Sequence, residues 1–132
     1  MLYLDTAALV KLVRREPESD VLVEWLAERT LPWVTSVLAE VELARALRRT
    51  DQDLLDSVPA LLERLYRCEI DSAVRATAAA FSDPLLRALD AIHLATAEAV
   101  LGANLTAFVT YDRRLLDAAR SRGLPTEAPG IR

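Results

Sequence analysis

The sequence is poor in cysteine, glycine and lysine, and it contains no long apolar run. Cys68 is the single cysteine, so no disulfide can form within the chain, and a cysteine-based zinc site would have to draw its remaining ligands from other residue types. The thiol lies in the apolar-flanked stretch 66–70, where a buried structural role is expected. With 3 Gly and 6 Pro against a hydrophobic fraction of 52%, little of the chain is suited to disorder or low-complexity linker. No segment approaches the roughly 18 to 20 apolar residues that cross a bilayer. Met1 to Val10 has neither the basic start nor the cleavage site of a secretion signal, which makes the cytoplasm the expected address. At 132 residues the length fits one domain with a single buried core, and therefore one site.

Excess positive charge is also missing. A net charge of −4 argues against the broad basic field of proteins that hold nucleic acid by phosphate neutralisation alone, but leaves room for a local basic rim or for metal ions. Lys11 is the only lysine, so arginine, the better fork for phosphate and carboxylate, supplies nearly all the cations.

What is present is an alternation of short apolar runs and amphipathic segments. Met1 to Leu4 predicts a strand that ends at Asp5 and Thr6, and Ala8, Leu9, Leu12 and Val13 then fall at helical spacing. A second helix is expected over 19–29, a strand over 33–35, and a helix over 37–49 with Ser36 as its cap. The stretch 51–65 reads as helical with a break near Ser57 and Pro59 in the first turn that follows. A third strand is expected over 66–70 and an alanine-rich helix over 72–81, capped by Asp71 or Ser72. Ser82, Asp83 and Pro84 form a loop before the strongest helical pattern, 85–101, which Gly102 and Asn104 stop. A last strand over 107–110 leads into a helix from Asp112 to about Arg122. This order predicts a three-layer α/β/α sandwich around a mostly parallel sheet.

In such a sheet, ligands bind outside the carboxyl ends of the strands, where loops and helix N-termini converge. Asp5 and Asp112 each stand at a strand exit, open a helix and have a threonine nearby, Thr6 and Thr110. Each can equally be an N-terminal helix residue favoured by the macrodipole. Asp90 shares a helical stripe with Leu86, Leu94, Ala97 and Leu101, so its carboxylate must be paired, coordinated or protonated. Arg87 is one available partner and a divalent cation shared with Asp5 and Asp112 is another. His93 follows Asp90 by three residues, but hard oxygen-rich sites do not need imidazole, and a structural role is expected for it. Glu40 and Glu42 remain open alternatives for a fourth carboxylate. Clustered carboxylates suit Mg²⁺ or Mn²⁺, which can stabilise both the attacking and the leaving oxygen of a phosphodiester displacement.

Four stretches carry a family resemblance: Leu2-Tyr-Leu-Asp5-Thr-Ala-Ala-Leu-Val-Lys-Leu12, Thr35-Ser-Val-Leu-Ala-Glu-Val-Glu42-Leu-Ala-Arg-Ala-Leu47, Leu89-Asp90-Ala-Ile-His-Leu-Ala-Thr-Ala97 and Phe108-Val-Thr-Tyr-Asp112-Arg-Arg-Leu115. Together, in this order, they resemble the PIN domains of bacterial VapC toxins. The resemblance favours Glu42 over Glu40 and implies a toxin endoribonuclease with Mg²⁺ or Mn²⁺ bound by Asp5, Glu42, Asp90 and Asp112, supported by Thr6 and Thr110. It also implies a homodimer, a VapB-like antitoxin whose C-terminal segment covers the acidic pocket, and a transfer or ribosomal RNA target. Ala7 departs from the family pattern, where serine is common, and puts one hydrogen bond near the metal in question. Arg45, Arg48 and Arg49 beyond Glu42, Arg87 before Asp90, and Arg113 and Arg114 after Asp112 are candidates for phosphate contacts or for an ordinary solvated surface.

Two other enzyme types with an aspartate after the first strand fit less well. An aspartyl-phosphate phosphotransferase would need a second aspartate at position 7, which is alanine, and a receiver domain would need an early acidic pair and a late lysine. A PIN-like interaction module without activity is the non-enzymatic alternative, against which stands the presence of all four carboxylates.

Overall fold

The computed structural model describes residues 1–131 and shows a five-stranded sheet in the order β3-β2-β1-β4-β5, every adjacent pair parallel. The strands are β1 (Leu2–Leu4), β2 (Trp33–Ser36), β3 (Leu65–Cys68), β4 (Ala107–Val109) and β5 (Thr126–Glu127). Between them run α1 (Thr6–Val13), α2 (Ser19–Ala27), α3 (Leu38–Thr50), α4 (Val58–Glu63), α5 (Ser72–Ala80), α6 (Ala88–Thr96) and α7 (Arg113–Ser121).

The layers follow from the two-residue period of the strands. Leu2 and Leu4 of β1 and Ala107 and Val109 of β4 face one side, where they meet Leu9, Leu22, Leu43 and Leu47 from α1, α2 and α3. Tyr3 and Phe108 face the other side and pack on Leu94, Leu115 and Ala119 from α6 and α7. Each fully buried leucine contributes about 1.5 to 3 kcal/mol, so these two clusters on opposite faces hold the three-layer arrangement expected from the alternation of elements.

Local signals account for most boundaries. Ser36 Oγ accepts the Leu38 backbone N–H at 3.1 Å at the head of α3. The 51–65 stretch divides as expected, into a 3₁₀ segment over Gln52–Ser57 and α4 with Pro59 in its first turn. Asp71 caps α5, its carboxylate accepting the Val74 N–H at 2.9 Å. Asp71→Ala is expected to destabilise the protein by about 1 kcal/mol in urea denaturation and to leave the site described below untouched.

The structure departs from expectation at several points. The helix expected over 85–101 begins only at Ala88, because Asp83 binds the Leu85 N–H in a local turn and Arg87 is extended. Its end, Ala97–Leu101, is wound as a π-helix that stops at Gly102, whose φ of 51° suits a residue without a Cβ. The third strand lies one to two residues earlier than expected, and β5 was not expected at all. Cys68 is half-buried, not buried.

Candidate functional site

Strand order explains why Asp5 and Asp112 meet. The chain builds β1, β2 and β3 outward in one direction, then returns to place β4 on the other flank of β1, and the crevice at this reversal lies at the carboxyl ends of β1 and β4. Leu4 pairs with Val109, so the two strands leave the sheet level with each other. The Asp5 N–H continues the ladder to Val109 O at 3.3 Å, and Thr110 Oγ1 donates to Asp5 Oδ2. Asp5 Oδ1 accepts the Ala8 N–H at 3.0 Å and caps α1, while Asp112 Oδ1 accepts the Leu115 N–H at 3.0 Å and caps α7. Both aspartates are therefore helix caps, the ordinary role anticipated for them, and they also lie close enough for the charge of Asp112 to act on Asp5. Their capping bonds fix the carboxylates at the positive ends of two helices.

Asp90 enters from the first turn of α6 and is half-buried. Among the described residues it forms no ion pair with Arg87, which is exposed, so the arginine partner considered from the sequence does not materialise. Asp90 and Asp112 instead line a hollow of about 420 Å³ together with Arg87, Arg113 and Arg114. Arg45 and Arg49 are exposed on α3 and do not line it.

Glu42 enters from α3, and the two glutamates have different surroundings. Glu40 is exposed and forms an ion pair with Arg67 of β3 at 3.0 Å. Glu42 Oε1 accepts Thr6 Oγ1 at 2.6 Å and lies 2.6 Å from His93 Nε2. His93 is 2% exposed and its other ring nitrogen, Nδ1, lies 2.7 Å from the Tyr3 hydroxyl. Neither Tyr3 nor this arrangement was anticipated. The only sequence signal was the helical spacing of His93 from Asp90, since the contact with Glu42 crosses between two helices.

The electrostatics record the convergence. Asp5 is 3% exposed. Burial raises its pKa from 3.8 to about 6, with His93, Thr110 and the Ala8 N–H pulling it down and Asp112 pushing it up. Asp90 is also raised, by burial first and then by Asp112 and Glu42, against the pull of His93 and Arg87. Burial pushes Glu42 up too, but hydrogen bonds from His93 and Thr6 hold it below the ordinary carboxylate range. Among the described residues, no three His, Cys, Asp or Glu side chains are already arranged to hold a metal ion. The donors that do converge are hard carboxylate oxygens, two of which, on Asp5 and Asp90, have their proton affinity raised by neighbouring carboxylates, a set suited in chemistry to Mg²⁺ or Mn²⁺.

Comparison with known proteins identifies the family. The PIN domain family model matches residues 2–121. Ribonuclease VapC35 of Mycobacterium tuberculosis is 56% identical over 132 residues, covering 98% of each chain. From the same species, Ribonuclease VapC46 is 42% identical over 128 residues, with 97% of each chain covered, and Ribonuclease VapC47 is 41% identical over 134, with 98% covered. A five-stranded parallel sheet, an acidic crevice at its strand-order reversal and similarity along nearly the whole length lead to one assignment: the chain belongs to the PIN-domain family, and within it to the VapC group.

Proposed function

We propose that this chain is a metal-dependent endoribonuclease, the toxin of a VapBC-type toxin and antitoxin pair, with Asp5, Glu42, Asp90 and Asp112 as its catalytic and metal-binding residues. The observation that carries the reading is the convergence of carboxylates from the exit of β1, from α3, from α6 and from the exit of β4, in a crevice where they perturb one another's protonation. Bound Mg²⁺ or Mn²⁺ would supply an activated water and charge stabilisation at the phosphate, which removes the need for a protein nucleophile.

The chain's own residues have distinct tasks in this scheme. Thr110 and the head of α1 hold Asp5, and Thr6 holds Glu42, so neither carboxylate swings freely. Arg87, Arg113 and Arg114 border the hollow beside Asp90 and Asp112 and would position RNA phosphates, while Arg45 and Arg49 would meet the strand farther along α3. The remaining parts of the reading are a single PIN unit over 1–132, a transfer or ribosomal RNA target, a VapB-like antitoxin partner, a homodimer and a cytoplasmic location. No helix among the described residues is long and apolar enough to cross a membrane.

Purified protein incubated with structured RNAs and Mn²⁺ is expected to release discrete fragments, to stop on addition of EDTA and to resume when Mn²⁺ is returned in excess. Cleavage that persists in EDTA would refute the metal-dependent reading.

A further inference from the structure

A buried polar chain runs behind the acidic crevice. Tyr3 is fully buried in β1, its ring stacked on Phe108 at 5.2 Å between centroids and 3° between planes, and set edge-on to His93 at 5.9 Å. Its hydroxyl lies 2.7 Å from His93 Nδ1, and His93 Nε2 lies 2.6 Å from Glu42 Oε1. With the tyrosine hydroxyl donating to Nδ1, the imidazole carries its proton on Nε2 and donates it to the glutamate. Every donor in the chain then finds an acceptor. Thr6 Oγ1 donates to the same glutamate oxygen at 2.6 Å. Two short hydrogen bonds therefore converge on Oε1, and among the described residues Oε2 has no protein partner.

We infer that His93, backed by Tyr3, is a positioning residue for Glu42: it commits one carboxylate oxygen to the protein and leaves the other to face a divalent cation. This rests on the nuclease reading above. Glu42 sits within a helix and, unlike Asp5 and Asp112, has no backbone N–H bound to its side chain, so its orientation depends on these side-chain bonds. A buried histidine kept only for packing needs any two partners. This one spans the molecule from a sheet tyrosine to a half-buried glutamate beside the crevice. Hydrogen bonds that orient a metal-ligating carboxylate are worth about 10- to 100-fold in metal affinity.

The full-length protein and its His93→Leu, His93→Gln and Tyr3→Phe variants would be titrated with Mn²⁺ alone, following free Mn²⁺ by electron paramagnetic resonance, with thermal unfolding and RNA cleavage measured in parallel. His93→Leu is expected to weaken Mn²⁺ binding about 10- to 100-fold. His93→Gln, whose amide N–H can reach the position of Nε2, should recover most of that loss. Tyr3→Phe should weaken binding about 3- to 10-fold, as expected for one hydrogen bond removed from the chain. Cleavage should follow the same order and be largely restored by raising Mn²⁺. If His93→Leu does not fold, the contrast of His93→Gln and Tyr3→Phe with the unmodified protein decides. Folded variants that bind Mn²⁺ as tightly as the unmodified protein, while that protein binds and cleaves, overturn the positioning role alone. Failure of the unmodified protein to bind Mn²⁺ or cleave RNA overturns the nuclease reading and this inference with it.

Discussion

Asp90→Asn is expected to lower Mn²⁺-dependent RNA cleavage by at least about 100-fold, since the loss of several kcal/mol of transition-state charge stabilisation corresponds to two or more powers of ten in rate. The substitution is a clean one. Asp90 is half-buried in the first turn of α6, asparagine has nearly the same shape, and among the described residues the carboxylate accepts no hydrogen bond that would be lost. The fold should therefore survive, and circular dichroism with thermal unfolding would show it. Arg87, although adjacent in the same hollow, forms no ion pair with Asp90, so the change strands no partner cation. Undiminished metal-dependent cleavage by a folded Asp90→Asn protein would remove Asp90 from the catalytic set and undermine the four-carboxylate proposal.

Asp5→Asn separates stability from activity in the opposite direction. A carboxyl group raised from 3.8 to about 6 on folding binds its proton more tightly in the native state than in the unfolded one. Its contribution is fully favourable below pH 3.8 and is lost as pH rises to about 6, and the full difference corresponds to about 3 kcal/mol. Metal-free protein should thus lose stability across that window. Asp5→Asn should be more stable than the unmodified protein at pH 7.5 by about 1 to 3 kcal/mol, the lower figure applying if Thr110 loses its acceptor. At pH 4 the gain should shrink towards zero. Added Mn²⁺ should reverse the ranking by stabilising only the protein that still binds it, and the variant should cleave RNA poorly. Urea denaturation at the two pH values, with and without Mn²⁺, measures all of this. A variant less stable than the unmodified protein at pH 7.5 without metal would show that the capping and Thr110 bonds outweigh the cost of the buried charge.

How much of this was legible in the sequence depends on the range of the interaction. Capping and periodicity are local, so α1, α3, α5, α7 and the first four strands lie close to where spacing places them, and the break at Ser57 was visible because Pro59 cannot continue a helix. Two-residue β5 has no apolar alternation, and its pairing with Phe108 and Val109 owes everything to the edge that β4 leaves open. The start of α6 was misplaced because Leu85 and Leu86 match the helical stripe while Asp83 captures the backbone before it can wind. Within the site, Asp5 and Asp112 were readable as strand-exit aspartates, but that β1 and β4 are neighbours is a property of topology. Geometry along one helix does not separate Glu40 from Glu42, since what distinguishes them is Arg67 on one side and Thr6 and His93 on the other. The Tyr3 to His93 contact links residues 90 positions apart, and no local pattern announces it.

The placement of β4 beside β1 has a bearing on synthesis. Asp5 is synthesised well before the neighbour that binds its Oδ2, Thr110, and before the helix headed by Asp112. A nascent or prematurely terminated chain that stops before Ala107 would expose one flank of β1 and could not close the crevice. In the proposed role as a toxin, any cutting would await the synthesis of β4 and α7.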